Sequence, residues 1–276
     1  MILINGLGFC SSSGSMMQEL AAAAGINLPV NNPSDDGLKK QLRGCGAFIT
    51  AGVRAAMEAL HDSGLAGESL AETGIIVSSM VGDQNTTSEF IDDLIDYGVD
   101  QGSPIKFAHS SHNAAASYIA KLFSIYGPAI TSINFEAGFV SGLMLARCWL
   151  EQGTCDNVLL LQIESCSPLS EVLVNYGKNF TATLSPDTAV FADSKAQCQA
   201  ACLLLGNRAL STNTRMQISM SSSSEKCEAA AYTAVLETTL PDSLRVITAV
   251  LKPHNGQLVN INGIAYLIEK HGSQES

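Results

Sequence analysis

The chain has 276 residues, 46% hydrophobic and 15% charged, enough for one large or two small globular domains and too apolar for a disordered tail. With 15 basic and 26 acidic residues its formal charge is −11, which argues against nucleic acid or an anionic membrane as partner, because phosphate binding needs clustered cations. No uninterrupted apolar run of about 18 residues is present, so no membrane span is expected. Ile2–Leu7 reads as a short apolar strand. Met1–Gly6 contains no basic n-region and breaks at glycine, so it reads as a strand and not as a signal peptide.

Met16–Ala24 is expected as a helix stopped at Gly25, and residues 29–41 as a loop by composition. Residues 47–63 carry helical periodicity, with Val53, Met57 and Leu60 on one face, several alanines for close packing, and Gly64 as the C-terminal cap. Gly74–Ser79 is a β-branched run, the pattern of a strand buried on both faces. Glu89–Tyr97 and Asn113–Ser124 read as helices, Ile130–Phe135 as a strand, and Val158–Glu164 as a second buried strand. Between these two strands, Gly138–Glu151 reads as a helix whose only charges are Arg147 and Glu151, so protein is expected to enclose it. Thr188–Asp193 and Gln199–Leu205 look like adjacent antiparallel strands. The serine run 221–224 reads as a loop, followed by a helix at Lys226–Thr239, a strand at Arg245–Leu251 and an apolar segment at Leu258–Ile268. Alternating strands and helices point to an α/β fold with a mixed sheet covered on both faces.

The eight cysteines (10, 45, 148, 155, 166, 198, 202 and 227) contain no Cys-x-x-Cys pair, and Cys198 and Cys202 have no nearby histidine. Reduced, buried thiols are expected, with a cytoplasmic location as their natural consequence, and neither a metal nor a cofactor is called for. His109 and His112 stand three apart, a spacing that could place both on one helical face, but no third ligand is near. A helix start capped by Ser110 or Ser111 explains them better than a metal site. A Ser–His hydrolase is disfavoured by the lack of a Gly-x-Ser-x-Gly elbow. The glycines at 44, 46 and 52, or at 138 and 142, make no phosphate loop.

Several stretches, in order, carry a resemblance: Ile2-Leu3-Ile4-Asn5-Gly6-Leu7-Gly8; the alanine-rich 51–65 closing in Ala59-Leu60-His61-Asp62-Ser63-Gly64-Leu65; Thr73–Val77; His112-Asn113-Ala114-Ala115-Ala116; and Tyr126-Gly127-Pro128-Ala129-Ile130-Thr131. Over residues 1–165 this succession resembles the β-ketoacyl synthases of fatty-acid and polyketide assembly. The resemblance implies a thiolase-like fold, layered α/β/α/β/α with mixed sheets. It implies a ketosynthase-like half at 1–220 and a shortened C-terminal half at 221–276, together one compact unit.

In that family a nucleophilic cysteine stands where the strand after Gly-Pro-x-x-Thr turns into the buried helix, and the helix N-terminus favours its thiolate. Here the turn reads Ile133-Asn134-Phe135-Glu136-Ala137-Gly138-Phe139, with Glu136 at the cysteine's place and no cysteine nearer than Cys148. A carboxylate cannot form the thioester. It does sit well near helix N-terminal amides, and a plain N-terminal cap is the simpler alternative for Glu136. Lys252-Pro253-His254-Asn255-Gly256 aligns with the family's His-Gly-Thr-Gly-Thr, which makes His254 a weak catalytic candidate. The family's second histidine has no counterpart in the 22 residues that follow.

The resemblance therefore implies a catalytically inactive homologue of the chain-length-factor type, as in type II polyketide and aryl polyene systems. Such a subunit forms a heterodimer with an active ketosynthase, joined edge to edge through a strand near the active site, and shapes the tunnel for the growing chain. Phe135, Glu136 and Phe139 are the expected tunnel residues, and acyl carrier protein is an indirect partner. Two alternatives stay open: a stand-alone malonyl-carrier decarboxylase or acyltransferase using Glu136 and His254, and a self-associating scaffold with no acyl substrate.

Overall fold

Residues 2–11, 36–134, 138–165, 198–208, 210, 216–222, 232–240 and 243–251 are described by the computed structural model. In chain order they form β1 (Ile2–Ser11), α1 (Asp36–Gln41), α2 (Ala47–Asp62), β2 (Thr73–Ser79), α3 (Gln84–Tyr97), α4 (Pro104–Ser110), α5 (Ala114–Phe123), β3 (Ala129–Ile133), α6 (Gly138–Glu151), β4 (Asn157–Ser165), β5 (Cys198–Gly206), β6 (Met216–Ser222), β7 (Tyr232–Leu240) and β8 (Ser243–Leu251). A 3-10 turn at Val99–Gln101 joins α3 to α4.

The mixed α/β architecture expected from the sequence is the one that forms. A single sheet runs β3-β2-β4-β5-β1-β6-β7-β8. β3, β2 and β4 are parallel, whereas β5, β1, β6, β7 and β8 each pair antiparallel with the strand before them in that order. The parallel part needs helical crossovers, so helices cover both faces there. α2 and α5 lie over one face, where Ile49, Val53, Ala56, Leu60, Ala115 and Ile119 share a core with Ile75, Val77, Leu159, Leu161 and Ile163. Strand alternation turns Ile76 and Leu160 to the other face, against Gly142 of α6. Every residue of β2 is buried, as its continuous apolar run requires.

α2 spans the residues its periodicity marked, and Val53, Met57 and Leu60 are all buried. It ends in a Schellman motif: Gly64, at φ +78°, donates to the carbonyl of His61, and Leu65 donates to that of Leu60. Its alanines allow the helix to sit directly on β1. A Cβ added at Gly8 would lie 1.9 Å from the Ala55 carbonyl oxygen, and one at Gly6 would lie 2.1 Å from that of Ala59. The Gly-Leu-Gly of the first strand is therefore a close-packing device.

Four expectations need correction. Of the loop expected at 221–224, Ser221 and Ser222 belong to β6 and pair with β7. Residues 36–41, expected within a loop, form α1. The helix expected at Lys226–Thr239 is replaced by β7 over Tyr232–Leu240, where β-branched Thr233, Val235, Thr238 and Thr239 sit in a ladder between β6 and β8. α6 has the expected bounds but is enclosed on one face only. Gly142, Leu143, Ala146 and Leu150 are buried, while Ser141, Met144, Arg147, Cys148 and Glu151 are exposed. A helix spacing of i, i+4 lets Arg147 and Glu151 pair at 2.8 Å on that outer face. The expected elements at 16–24, 188–193 and 258–268 lie outside the described residues.

Candidate functional site

β2, β3 and β4 end together, and the carboxyl ends of parallel strands are where α/β sheets gather their functional groups. Ser79 of β2 pairs with Ile133 of β3, and Ser78 pairs with Gln162 of β4. Beyond β2 the chain turns through Met80–Asp83 into α3. Asp83 caps that helix, accepting from the Thr86 amide at 3.1 Å and from the Thr86 hydroxyl at 2.7 Å. Beyond β3 the chain passes Asn134, whose N–H donates to the Ser79 carbonyl at 3.0 Å, and enters α6 at Gly138.

Of the expected site residues, Phe135, Glu136 and His254 lie outside the described residues, as does the side chain of Phe139 in the first turn of α6. The elements on either side of residues 135–137 are described: β3 before them and α6 after them, with the ends of β2 and then β4 beside β3. Cys148 lies ten residues into α6, about 15 Å along its axis from Gly138, and is exposed, so it does not stand in for a nucleophile at the helix mouth.

Sequence reasoning missed Glu164. It is 2% exposed at the end of β4. Its carboxyl accepts from the Ser79 hydroxyl at 3.2 Å, from the Met80 amide at 2.9 Å, and from the Gln162 side-chain amide. Burial pushes this carboxyl up to about 7, against the pull of those three donors toward the anion.

His109 and His112 do not share a helical face. His109 is buried in the last turn of α4, while exposed His112 follows the end of that helix. The imidazole Nε2 of His109 lies 2.9 Å from the Tyr118 hydroxyl of α5, with the rings edge to face. The Cys45 side chain bonded to that hydroxyl, and then burial, hold the Tyr118 hydroxyl above its usual range. Burial also raises Asp83, while its Thr86 bonds and the charge of His109 lower it. The pairing of His109 and Tyr118 joins α4 to α5. Tyr118→Phe should lower stability by about 1 kcal/mol, read from the urea midpoint, because the buried imidazole loses its partner. Ser110 and Ser111 do not cap a helix start, since their hydroxyls donate back to the Phe107 and Ala108 carbonyls, each at 2.8 Å. α5 instead starts after Asn113, which makes no side-chain cap bond.

Among the described residues no group of three His, Cys, Asp or Glu side chains could hold a metal ion, and no helix is long and apolar enough to cross a membrane. Cys155 and Cys202 are buried, Cys10 and Cys45 half-buried. Burial lifts the thiols of Cys10, to about 11, and of Cys155 and Cys202, which keeps them protonated and unreactive.

Residues 31–196 match the family model for the N-terminal domain of β-ketoacyl synthases. Among curated proteins none matches the chain significantly. A β-ketoacyl synthase from Burkholderia phymatum STM815 superposes with a TM-score of 0.58 at 18% identity, over 80% of this chain and 64% of that one. A type II polyketide acyl-carrier protein in complex with its ketosynthase bound to the hexaketide (AntDE:AntF) gives 0.56 at 15% identity, over 75% of this chain and 62% of that one. The ketosynthase ApeO in complex with its chain length factor ApeC, from Xenorhabdus doucetiae, gives 0.53 at 18% identity, over 82% and 85%. The fold is the thiolase-like fold of these ketosynthases, and the chain spans less than two thirds of the first two.

Proposed function

Because the chain belongs to the β-ketoacyl synthase family, through that family's N-terminal domain, we propose that it is a catalytically inactive homologue of the chain-length-factor type. It pairs with an active β-ketoacyl-carrier-protein synthase and shapes the tunnel for a polyketide or fatty-acid-like chain, such as an aryl polyene. One feature of the sequence supports this reading: Glu136 falls between β3 and α6, at the position that the resemblance assigns to the family's cysteine. A carboxylate there has no sulfur to accept an acyl group by thioester exchange.

The open edge of the sheet supports a partner. Among the described strands β3 is the outermost on that side, with Ala129 and Ile130 exposed, and Tyr126 just before it is 81% exposed. An unpaired strand edge bordered by apolar side chains favours association. A partner covering the edge and its surroundings would bury roughly 2,000 Å² or more, the range of obligate complexes. A complex of a ketosynthase with its chain length factor is among the similar structures.

The test is reconstitution. Incubated alone with malonyl-carrier protein, the chain should yield no acetyl product by mass spectrometry. Mixed with the ketosynthase it serves, it should elute as a 1:1 complex whose product length changes when Glu136 or Phe139 is replaced by alanine. Acetyl product from the chain alone, lost in Glu136→Ala, would establish the decarboxylase instead. A homodimer with no effect of Glu136→Ala on product length would establish the scaffold.

A further inference from the structure

Glu164 has no part in the reading above, yet its contacts tie together the strand ends that frame the site. Its three described partners, the Ser79 hydroxyl, the Met80 amide and the Gln162 side chain, include no cation. A carboxyl buried without a positive partner holds its proton more tightly than in water, because the charged form loses most of its hydration. The same atoms fix the Met80–Asp83 turn. Ser79 Oγ accepts from the Gly82 amide at 2.9 Å, and the Ser79 carbonyl accepts from Asn134, the residue leading out of β3. Gly82 holds φ +73°, and a Cβ there would lie 2.8 Å from His112 Nδ1 and 3.4 Å from Ile133 Cδ1, so the turn is wedged against the end of β3.

On the turn, Asp83 is engaged by Thr86 and feels the charge of His109 of α4. His112 lies against Gly82. Among the described side chains of α6, Arg147 and Glu151 are exposed and paired with each other. On β5 the residue opposite Glu164 is Gln199, which does not titrate.

We propose that Glu164 is a proton-dependent latch on the Met80–Asp83 turn. With its proton, the carboxyl donates to Ser79 Oγ, accepts from Met80 and Gln162, and stays closed in the sheet. Without it, the buried anion favours the open turn, where water solvates it. The direction follows from burial, which raises this acid from its ordinary 4.5 to about 7 in the closed form. The closed state is therefore fully favoured below about pH 4.5 and loses ground as pH rises through about 7.

Amide hydrogen exchange on the full chain, in complex with its partner if that is the soluble form, reads this opening. After correction for intrinsic exchange rates, opening at the Met80 and Gly82 amides should rise about tenfold between pH 6 and pH 8. Ile49, buried in α2, should not follow. In Glu164→Gln, which keeps the shape and can still bond to Ser79 and Met80, the rise should vanish. A flat wild-type profile, or an equal rise in Glu164→Gln, overturns the latch. Should that variant not fold, the wild-type comparison decides, because an equal rise at Met80, Gly82 and Ile49 also overturns it.

Discussion

Ile130→Asp should weaken the 1:1 complex with a ketosynthase at least about 100-fold, a loss of about 2.7 kcal/mol, measured by calorimetry or sedimentation. The side chain is 42% exposed on the outermost of the described strands, directly beside Ile76 of β2. Its inner neighbour is thus already in place, and the substitution should change the stability of the unpartnered chain by no more than about 0.5 kcal/mol. A charge on an edge strand is how natural sheets prevent edge-to-edge pairing, because a partner strand would have to desolvate it. An unchanged dissociation constant would mean that the partner docks elsewhere.

Gly8→Val should destabilise the chain by about 3 kcal/mol or more, seen as a lower urea midpoint or as loss of soluble protein. The cause is main chain against main chain. The new Cβ would meet the Ala55 carbonyl oxygen at 1.9 Å and the Ala59 nitrogen at 2.6 Å, and neither can rotate aside as a side chain would. α2 would have to lift off β1, uncovering Val53, Ala56 and Leu60 of the core. A variant of wild-type stability would mean that this helix and strand are not in van der Waals contact.

The elements most legible in the sequence are those where one local signal decides. α2 has a clean 3.6-residue pattern and a glycine stop, β2 and β4 are continuous apolar runs, and α6 lies between turn residues, so their bounds differ from expectation by two residues or fewer. β7 was not legible, since Ala229, Ala230 and Ala231 give the sequence just before it a helical look, while pairing on both sides sets the conformation of β7. The strand order was hidden too, because β1 joins β5 across nearly two hundred residues. For the candidate site, the sequence marked the turn between β3 and α6 through its family resemblance. It could not mark Glu164, whose role depends on Ser79 and Met80 approaching from a different strand, nor the contact between His109 and Tyr118, which lie on different helices.

β1 lies inside the sheet, between β5 and β6, with Leu3 opposite Gly206. On a ribosome adding about 10 residues per second, the opening strand emerges roughly 20 s before the strand that completes its ladder. During that interval Ile2, Leu3 and Ile4 lack the ladder neighbours that β5 and β6 later give them.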